Sequence, residues 1–229
     1  MIAANPQRTS VRSKKYDLLV FDWDGTLIDS AAAIVACLKA ACRDLELTEP
    51  TDDSARHVIG LGLDEALLYL WPGLLPESGR ALVERYRRHF FSRDHDIALF
   101  PEVLDGIKAL HEDGFLLAVA TGKSRRGLDR SLEATGLAPY FHGTRCADES
   151  FSKPHPGMLL DLMGALGAQP GRTLMIGDTT HDLKMAENAQ VASLAVSYGA
   201  HPEHGLLAYS ALGCMRDFAE VSAWLRENA

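Results

Sequence analysis

Short apolar runs alternate with amphipathic stretches along most of the chain. The apolar runs have the length and residue types of buried strands. They cover residues 18–21, 115–120, 173–176 and 191–196, with a shorter candidate at 141–146. Helical periodicity covers residues 31–45, 64–71, 76–93, 102–112 and 218–226, and four more helical stretches end near residues 57, 135, 166 and 189. Strands that alternate with helices predict an α/β domain whose parallel sheet is covered on both faces.

One connection is much longer than the sheet requires. A parallel crossover needs about a dozen residues, whereas residues 31–96 follow the first predicted strand and carry only helical patterns. The economical interpretation is a helical cap inserted between the first two strands. We therefore predict an α/β core built from residues 16–30 and 97–229, a helical cap at 31–96, and a flexible amino-terminal tail at 1–15.

Size and charge narrow the functional classes. The chain has 229 residues, of which 47% are hydrophobic, and a net charge of −8. This length suits one α/β domain of ordinary size with an inserted module. The negative charge argues against a broad nucleic-acid surface, so we expect no nucleic-acid partner. A local site in an acidic protein can still bind a small phosphorylated metabolite.

The cysteines and the amino terminus favour a cytoplasmic location. The four cysteines form no C-x-x-C pair and are interpreted as free thiols in a reducing compartment. The polar, basic amino terminus lacks the apolar segment of a signal peptide. No apolar run reaches transmembrane length, so we expect no membrane partner. The sequence carries no indication of the oligomeric state.

Polar side chains of selected kinds follow three of the predicted strands. The first strand ends in Asp22 and Asp24, which share a face because they are two residues apart, while Trp23 points the other way. The carboxyl ends of parallel strands lie at one edge of a sheet, where ligands bind. That edge is expected to gather four carboxylates, a hydroxyl and an ammonium, from Asp22, Asp24, Thr121, Lys153, Asp178 and Asp182.

The expected crevice carries an excess of negative charge. Close carboxylates repel one another, and in a pocket with few polar groups the pKa of one of them is raised. A divalent cation together with Lys153 supplies the opposing charge and lets the carboxylates stay ionised. A small site with oxygen ligands and room for water suits Mg²⁺. The sequence therefore predicts Mg²⁺ as the cofactor.

Four motifs, in this order, resemble those of the haloacid dehalogenase superfamily of aspartate-nucleophile phosphatases. They are D-W-D-G-T from Asp22, Thr121 with Gly122 and Lys123, Lys153 before Pro154, and G-D-T-T-H-D from Gly177 to Asp182. The helical insert after the first motif resembles the cap of the phosphoglycolate phosphatase-like branch. The resemblance implies an α/β, Rossmann-like core of three layers, a parallel sheet between helices, with an inserted α-helical cap.

The resemblance also implies a role for each carboxylate. Asp22 would attack phosphorus and form an aspartyl phosphate. Asp24 would protonate the leaving oxygen and then deprotonate the attacking water. Asp22, the backbone carbonyl of Asp24 and Asp178 would bind Mg²⁺, while Asp182 would orient the water molecules on the metal.

Three further residues are implied as phosphate ligands. Thr121 and the backbone amide of Gly122 would bind phosphoryl oxygens, and Lys153 would hold both the phosphate and the nucleophile. A carboxylate can approach a phosphate dianion only when the metal and the lysine neutralise it. Where the family often has Asn after the threonine, this chain has Gly122 followed by Lys123. This departure leaves the substrate contacts at that point open.

Two features near the predicted site are candidates for substrate selection, and for the first of them a purely structural role is the alternative. Gly60, Leu61 and Gly62 form either a cap loop that reaches the site or a plain turn between helices. Lys123 lies near a predicted helix start and is a candidate contact to the phosphate or the rest of the substrate. Both would place substrate selection at the junction of cap and core.

Other polar residues are interpreted structurally. His181 lies between two site carboxylates in sequence and is predicted to be a solvent-facing residue at a helix start. Asp29 and Ser30 are predicted helix N-caps. The arginines of the fourth helical stretch are interpreted as a solvated face.

We therefore predict a Mg²⁺-dependent phosphomonoesterase that acts on a small phosphorylated metabolite through an aspartyl phosphate. The resemblance alone favours 2-phosphoglycolate as the substrate. A phosphosugar mutase on the same scaffold is the alternative, and release of inorganic phosphate separates the two. A receiver-type phosphoacceptor domain also uses acidic residues, Thr and Lys on a parallel sheet, but it lacks a long cap. A dehalogenase would leave Asp24 and Asp178 without an evident function.

Overall fold

The computed structural model describes residues 14–93 and 97–229. Residues 1–13 of the predicted tail lie outside the described residues. The strands are β1 (Leu18–Phe21), β2 (Leu116–Thr121), β3 (Gly143–Cys146), β4 (Thr173–Gly177), β5 (Ala192–Val196) and β6 (Cys214–Met215). The helices are α1 (Ala31–Asp44), α2 (Asp52–His57), α3 (Leu63–Leu70), α4 (Pro76–Phe91), α5 (Val103–Glu112), α6 (Arg125–Thr135), α7 (Gly157–Leu166), α8 (Thr180–Asn188), α9 (Glu203–Leu206) and α10 (Phe218–Asn228). Within the described ranges, no helix is long and apolar enough to cross a membrane.

The sheet places β1 at its centre. The strands pair in the order β3-β2-β1-β4-β5-β6, all parallel, which is the order of the doubly wound dinucleotide-binding folds. Phe21, at the end of β1, lies beside Val119 of β2 and Ile176 of β4. The backbone N–H of Asp22 donates to the carbonyl of Ile176 at 2.9 Å and extends the pairing by one residue. The chain changes direction across the sheet at β1, so the binding crevice lies between the ends of β1 and β4.

Alternation along the strands gives the sheet two buried faces. Leu19 and Phe21 of β1 pack into one apolar cluster with α5, α6 and α10, whereas Leu18 and Val20 pack into another with α7 and α8. The four side chains of β1 are fully buried, as expected for a central parallel strand. The predicted α/β architecture, a parallel sheet between two helical layers, is confirmed.

Helices α1 to α4 form the cap and pack mainly on one another. Leu82 of α4 is fully buried against Ala41 and Cys42 of α1. Two chain connections join the cap to the core, one before α1 and one after α4, and they run side by side. The N–H of Asp29 donates to the carbonyl of Ala98 at 3.0 Å, and the N–H of Phe100 donates to the carbonyl of Leu27 at 3.0 Å. Both connections start beside the carboxyl end of β1. This arrangement supports the cap predicted at residues 31–96, whose boundaries stay a prediction.

The segment before the last helix differs from the prediction. The sequence patterns predict no element between residues 197 and 217, but this segment contains the short helix α9 and the edge strand β6. Strand β6 has only two residues, Cys214 and Met215, too few to produce a periodic pattern. It forms because Ala195 and Val196 of β5 offer their free edge to it. Hydrogen bonding to β5 therefore creates this strand, and the local sequence does not predict it.

Candidate active site

Asp22 is the first residue after β1, and its carboxylate is fully buried. Its Oδ1 accepts a hydrogen bond from the Lys153 ammonium at 2.7 Å. Its Oδ2 is buried and has no hydrogen-bond partner among the described residues. Burial raises the pKa of Asp22 well above its ordinary value, and the charges of Asp182 and Asp178 raise it further against the opposing effect of Lys153. An ionised Asp22 therefore needs another positive charge close to Oδ2.

Lys153 bridges two of the predicted site carboxylates. Its Nζ lies 2.7 Å from Asp22 Oδ1 and 2.7 Å from Asp182 Oδ1. The second contact is an ion pair without hydrogen-bond alignment, since Asp182 Oδ1 accepts no hydrogen bond in the described structure. Burial lowers the pKa of Lys153, but the two carboxylates outweigh it and raise the pKa above its usual value. Lys153 is therefore a permanently charged group at the base of the crevice.

Asp178 follows β4 and faces Asp22 across the switch point. Its Oδ1 accepts from the Thr26 hydroxyl at 2.8 Å, and its Oδ2 accepts from the backbone N–H of Ala200 at 2.7 Å. Burial, followed by the charge of Asp182, raises the pKa of Asp178 to about 7. Gly25 passes so close that a Cβ there would lie 2.2 Å from Asp178 Oδ2, and its φ is +84°. Glycine at this point lets the D-W-D-G-T turn close over Asp178.

Asp182 lies in the first turn of α8 and is oriented by a capping box. Its Oδ2 accepts from the backbone N–H and the hydroxyl of Thr179, and the Thr179 side chain accepts in turn from the Asp182 N–H. The helix amino terminus favours a carboxylate at this position. Asp182 thus presents its remaining oxygen to Lys153 and to the crevice.

The three carboxylates form a set that fits a small divalent cation. Asp22, Asp178 and Asp182 each offer an oxygen, and these oxygens lie within 4.8 Å of one another. Together with Asp24, four carboxylates face two ammonium groups, those of Lys123 and Lys153. The orphaned Oδ2 of Asp22, the raised pKa of Asp178 and the excess negative charge all fit a bound Mg²⁺.

Asp24 points away from this cluster, toward the cap. Its Oδ1 accepts from the Ser30 hydroxyl at 2.7 Å and lies 3.0 Å from the Lys123 ammonium. Ser30 is the N-cap residue of α1, but its hydroxyl makes no capping bond, and Asp29 is exposed outside the helix. The predicted N-cap position of Ser30 is confirmed, but its side chain does not cap the helix, and the prediction for Asp29 is wrong. The Ser30 hydroxyl holds Asp24 instead.

Lys123 pairs with a core carboxylate beside the cap, and its predicted contact to the phosphate or the substrate stays a prediction. Its ammonium pairs with Asp24 and lies 4.3 Å from the centroid of the Phe90 ring of the cap. Only 9% of its side chain is exposed. Lys123 therefore links the carboxylate of the core to a cap helix, a contact that sequence spacing did not indicate.

Thr121 and Gly122 end β2 on the other side of Asp22. Thr121 is fully buried, and its Oγ1 accepts from the backbone N–H of Lys123 at 3.1 Å, which leaves its hydroxyl proton for a ligand. A Cβ on Gly122 would lie 2.4 Å from the carbonyl oxygen of Leu61 and 2.6 Å from that of Gly60. The cap loop closes directly onto Gly122, so an asparagine side chain would not fit here with the cap in this position.

The loop of residues 60–62 therefore reaches the site. The N–H of Gly62 donates to the hydroxyl of Ser152 at 2.8 Å, next to Lys153. The position of a Cβ on Gly60 lies 3.3 Å from the Thr179 hydroxyl. Of the two interpretations open from the sequence, the structure has the loop in contact with the core. Its part in substrate selection stays a prediction.

His181 does not face solvent as predicted. Its Nε2 lies 2.7 Å from the carbonyl oxygen of His57, the last residue of α2, and its ring packs against those of His57 and His201. Burial lowers the pKa of His181 and lowers that of His201 to about 4, so both imidazoles are neutral near pH 7. The prediction failed because the sequence does not indicate that α2 packs over this helix start.

The hydrogen bonds define the tautomers of this cluster. The backbone N–H of Thr180 donates to Nδ1 of His201 at 3.1 Å, so the His201 proton is on Nε2, which donates to the His57 carbonyl at 3.1 Å. His181 Nε2 must also carry a proton, since a carbonyl only accepts. Although the three rings lie within the span of a metal site, both core imidazoles are used to hold the end of α2.

The six-stranded sheet and the acidic crevice at its carboxyl edge define an enzyme of the doubly wound α/β class. The match to the haloacid dehalogenase-like hydrolase family covers residues 19–196, and the chain belongs to this family. It is 38% identical over 211 residues to a protein of Dickeya dadantii named Probable phosphatase IndB, covering 89% of this chain and 91% of that one. It is 32% identical to a phosphoglycolate phosphatase of Agrobacterium fabrum, covering 80% and 81% of the two chains.

A solved structure has the same fold. A hydrolase from Pseudomonas syringae superposes with a TM-score of 0.86 at 23% identity, covering 93% of this chain and 98% of that one. Together these findings confirm the predicted family, the α/β fold and the assignment as a phosphatase similar to the phosphoglycolate phosphatases. The roles of the individual residues stay predictions.

Proposed function

We propose that this protein is a Mg²⁺-dependent phosphomonoesterase that hydrolyses a small phosphorylated metabolite through an aspartyl phosphate on Asp22. One observation carries the proposal. The Asp22 carboxylate is buried between Lys153 and Asp178, with one oxygen bonded to the ammonium and the other without a hydrogen bond among the described residues. A carboxylate held in this way is prepared for a cation and an electrophilic phosphorus.

In the first step a carboxylate oxygen of Asp22 forms a bond to phosphorus while the bond from phosphorus to the leaving oxygen breaks. Asp24 donates its proton to that leaving oxygen. In the second step water attacks phosphorus, Asp24 takes a proton from the water, and the bond to Asp22 breaks to release phosphate. The positions support this division, because Asp24 faces the cap cavity, where the leaving group departs, and Asp22 faces the acidic cluster.

Lys153 and Thr121 hold the phosphoryl group during both steps. The Lys153 ammonium already contacts Asp22 and adds positive charge next to the phosphoryl oxygens. The Thr121 hydroxyl proton is available because its oxygen accepts from the N–H of Lys123. Donors that are in place before the reaction stabilise the transition state without reorganisation.

Asp22, the backbone carbonyl of Asp24 and Asp178 would hold Mg²⁺, with Asp182 orienting its water molecules. When bound, the ion would neutralise phosphoryl charge and allow the carboxylate to approach. The excess of carboxylates over ammonium groups supports this assignment.

The proposal is tested by measuring phosphate release from a panel of phosphomonoesters, including p-nitrophenyl phosphate, with Mg²⁺, with Ca²⁺ and with excess chelator. We expect activity with Mg²⁺, loss in chelator, and recovery when Mg²⁺ is restored. Ca²⁺ should substitute poorly, because its larger and looser coordination shell misplaces the phosphoryl group. Full activity in chelator would exclude the metal. Isomerisation of a phosphosugar without phosphate release would favour a mutase.

A further inference from the structure

A partly open cavity lies between the proposed catalytic carboxylate and the cap. It has a volume of about 100 Å³ and lies between Asp24, Gly122 and Lys123 of the core and helices α1, α3 and α4 of the cap. Asp24 is the residue that would protonate the leaving oxygen. With Asp24 in that role, the body of the leaving group would occupy this cavity while the phosphoryl group lies against Asp22.

The cavity walls are mostly apolar. Aliphatic side chains from α1, the end of α2 and α3 line it, among them Ile34, Leu38, Val58 and Leu67. The aromatic rings of Phe90 and Phe91 come from α4. Walls of this kind bind an apolar or aromatic body, because they exclude water from it and offer ring faces for stacking.

Few charges are available inside the cavity to bind an acidic leaving group. The Lys123 ammonium pairs with Asp24 and packs on the Phe90 ring. Arg87 is exposed and lies at the edge, where the cavity meets a second groove on the cap surface. A carboxylate or phosphate that lies deeper in the cavity than Arg87 would lose its water to apolar walls, and its only cationic neighbour among the described residues, Lys123, is already paired with Asp24, which disfavours binding.

We propose that the substrate of this phosphatase is the phosphomonoester of an alcohol with a compact apolar or aromatic body. A small acidic leaving group, such as the glycolate released from 2-phosphoglycolate, is disfavoured. This inference rests on the proposed function and specifies its substrate class. The cavity volume of about 100 Å³ is below the roughly 150 Å³ of a dry apolar cavity that accepts benzene. The body is therefore a short alkyl chain, or a single ring that extends partly through the open side of the cavity.

The test compares kcat/KM of the full-length protein with Mg²⁺ for ethyl, butyl, hexyl and 2-phenylethyl phosphate, for 2-phosphoglycolate and for pyrophosphate. The alkyl esters share nearly the same leaving oxygen, so differences among them report binding of the body. We expect kcat/KM to rise about fourfold for each methylene until the cavity is filled. A series that is flat, or that ranks below 2-phosphoglycolate or pyrophosphate, would overturn the inference.

A pair of variants locates the effect in the cavity. Val58→Thr keeps the side-chain shape but adds a hydroxyl to the wall, and we expect it to lower kcat/KM for hexyl and 2-phenylethyl phosphate about tenfold with little change for ethyl phosphate. Val83→Thr makes the same change on α4 outside the cavity and should leave the ranking unchanged. Equal losses for ethyl and hexyl phosphate in Val58→Thr would contradict the assignment.

The outcomes separate this inference from the proposed function. Phosphate release with a preference for small acidic substrates would overturn the substrate class and leave the phosphatase intact. No phosphate release from any ester, p-nitrophenyl phosphate included, would overturn both. If Val58→Thr does not fold, the wild-type series alone decides, because it needs no substitution.

Discussion

At the scale of single residues, Lys153 is the group on which the acidic crevice depends. It contacts both Asp22 and Asp182 in a fully buried position. Removing one partner of a buried ion pair leaves an uncompensated charge, which costs about 3–5 kcal/mol. Lys153 therefore contributes to the stability of the fold as well as to the proposed chemistry, and variants of the carboxylates are better probes of mechanism.

Asp22→Asn tests the nucleophile. The amide has nearly the same size but cannot form an aspartyl phosphate, so kcat should fall by several orders of magnitude while the protein stays folded. Phosphate release and circular dichroism measure the two effects. Asp29→Asn makes the same change at an exposed residue of the same segment and should retain full activity. A mild loss in Asp22→Asn would move the nucleophile elsewhere.

Lys123 is expected to act through Asp24. Lys123→Met keeps the packing on Phe90 but removes the ammonium that lies 3.0 Å from Asp24. We expect kcat to fall about tenfold to a hundredfold with similar factors for all phosphomonoesters, because the Asp24 carboxyl group serves every substrate. The pH profile of kcat should shift as well. Lys184→Met, at a helix-surface lysine paired with Glu187, is the control and should keep full activity. If Lys123→Met loses activity toward one substrate only, Lys123 contacts the leaving group instead.

At the scale of elements, the loop between α2 and α3 closes the site against Gly122. The carbonyl oxygens of Gly60 and Leu61 occupy the space that a side chain at residue 122 would need. This close approach explains why the chain can depart from asparagine at this motif position. The backbone of the cap loop occupies the space that an asparagine side chain at residue 122 would need.

Gly122→Ala tests this closure. Its Cβ would collide with the Leu61 carbonyl, so the loop must retreat, and we expect KM to rise and kcat/KM to fall at least tenfold. The overlap should also cost about 1–3 kcal/mol in the free energy of unfolding. Gly164→Ala is the matched control, because a Cβ there meets open space on α7; it should stabilise by about 0.5–1 kcal/mol without affecting activity. Unchanged kcat/KM in Gly122→Ala would show that the loop does not close during catalysis.

At the scale of the whole molecule, cap and core are joined by two imidazoles on one carbonyl group. His181 and His201 of the core both donate to the carbonyl of His57, which ends helix α2. Helix ends leave such carbonyls without intrahelical partners, and here the core provides them. The contact lies a few residues before the loop that closes on Gly122, so it positions that loop relative to the core.

The contact predicts a pH dependence of stability. Burial, aided by the neighbouring His181, lowers the pKa of His201 from 6.5 to about 4, so the unfolded chain binds the extra proton first as the pH falls. The stabilising contribution is complete above pH 6.5 and is lost as the pH falls toward 4. Between pH 7.5 and pH 5, wild type should lose about 2 kcal/mol more than His201→Gln, which keeps a donor but does not titrate.

Urea unfolding of both proteins in chelator at the two pH values measures this difference. His204→Gln, at an exposed histidine of α9, is the control and should follow wild type. Identical pH dependence in wild type and His201→Gln would show that the imidazole does not contribute through its protonation.

The sequence by itself determined the parts that depend on neighbouring residues in the chain. The apolar run before Asp22 predicted the central strand, and the polar residues that follow three strands predicted the cluster of Asp22, Thr121, Lys153 and Asp178. These predictions succeed because strand alternation and the parallel order of the sheet bring strand ends to one edge. The same local patterns predicted the helical cap.

Only the tertiary structure decided which groups meet across elements. The partners of Asp24, the close approach of the cap loop to Gly122, the shared carbonyl of His57 and the apolar walls above the site all join segments far apart in the chain. Each depends on the angle and distance at which cap and core pack. Side-chain packing sets these quantities, and periodicity along the sequence carries no record of them.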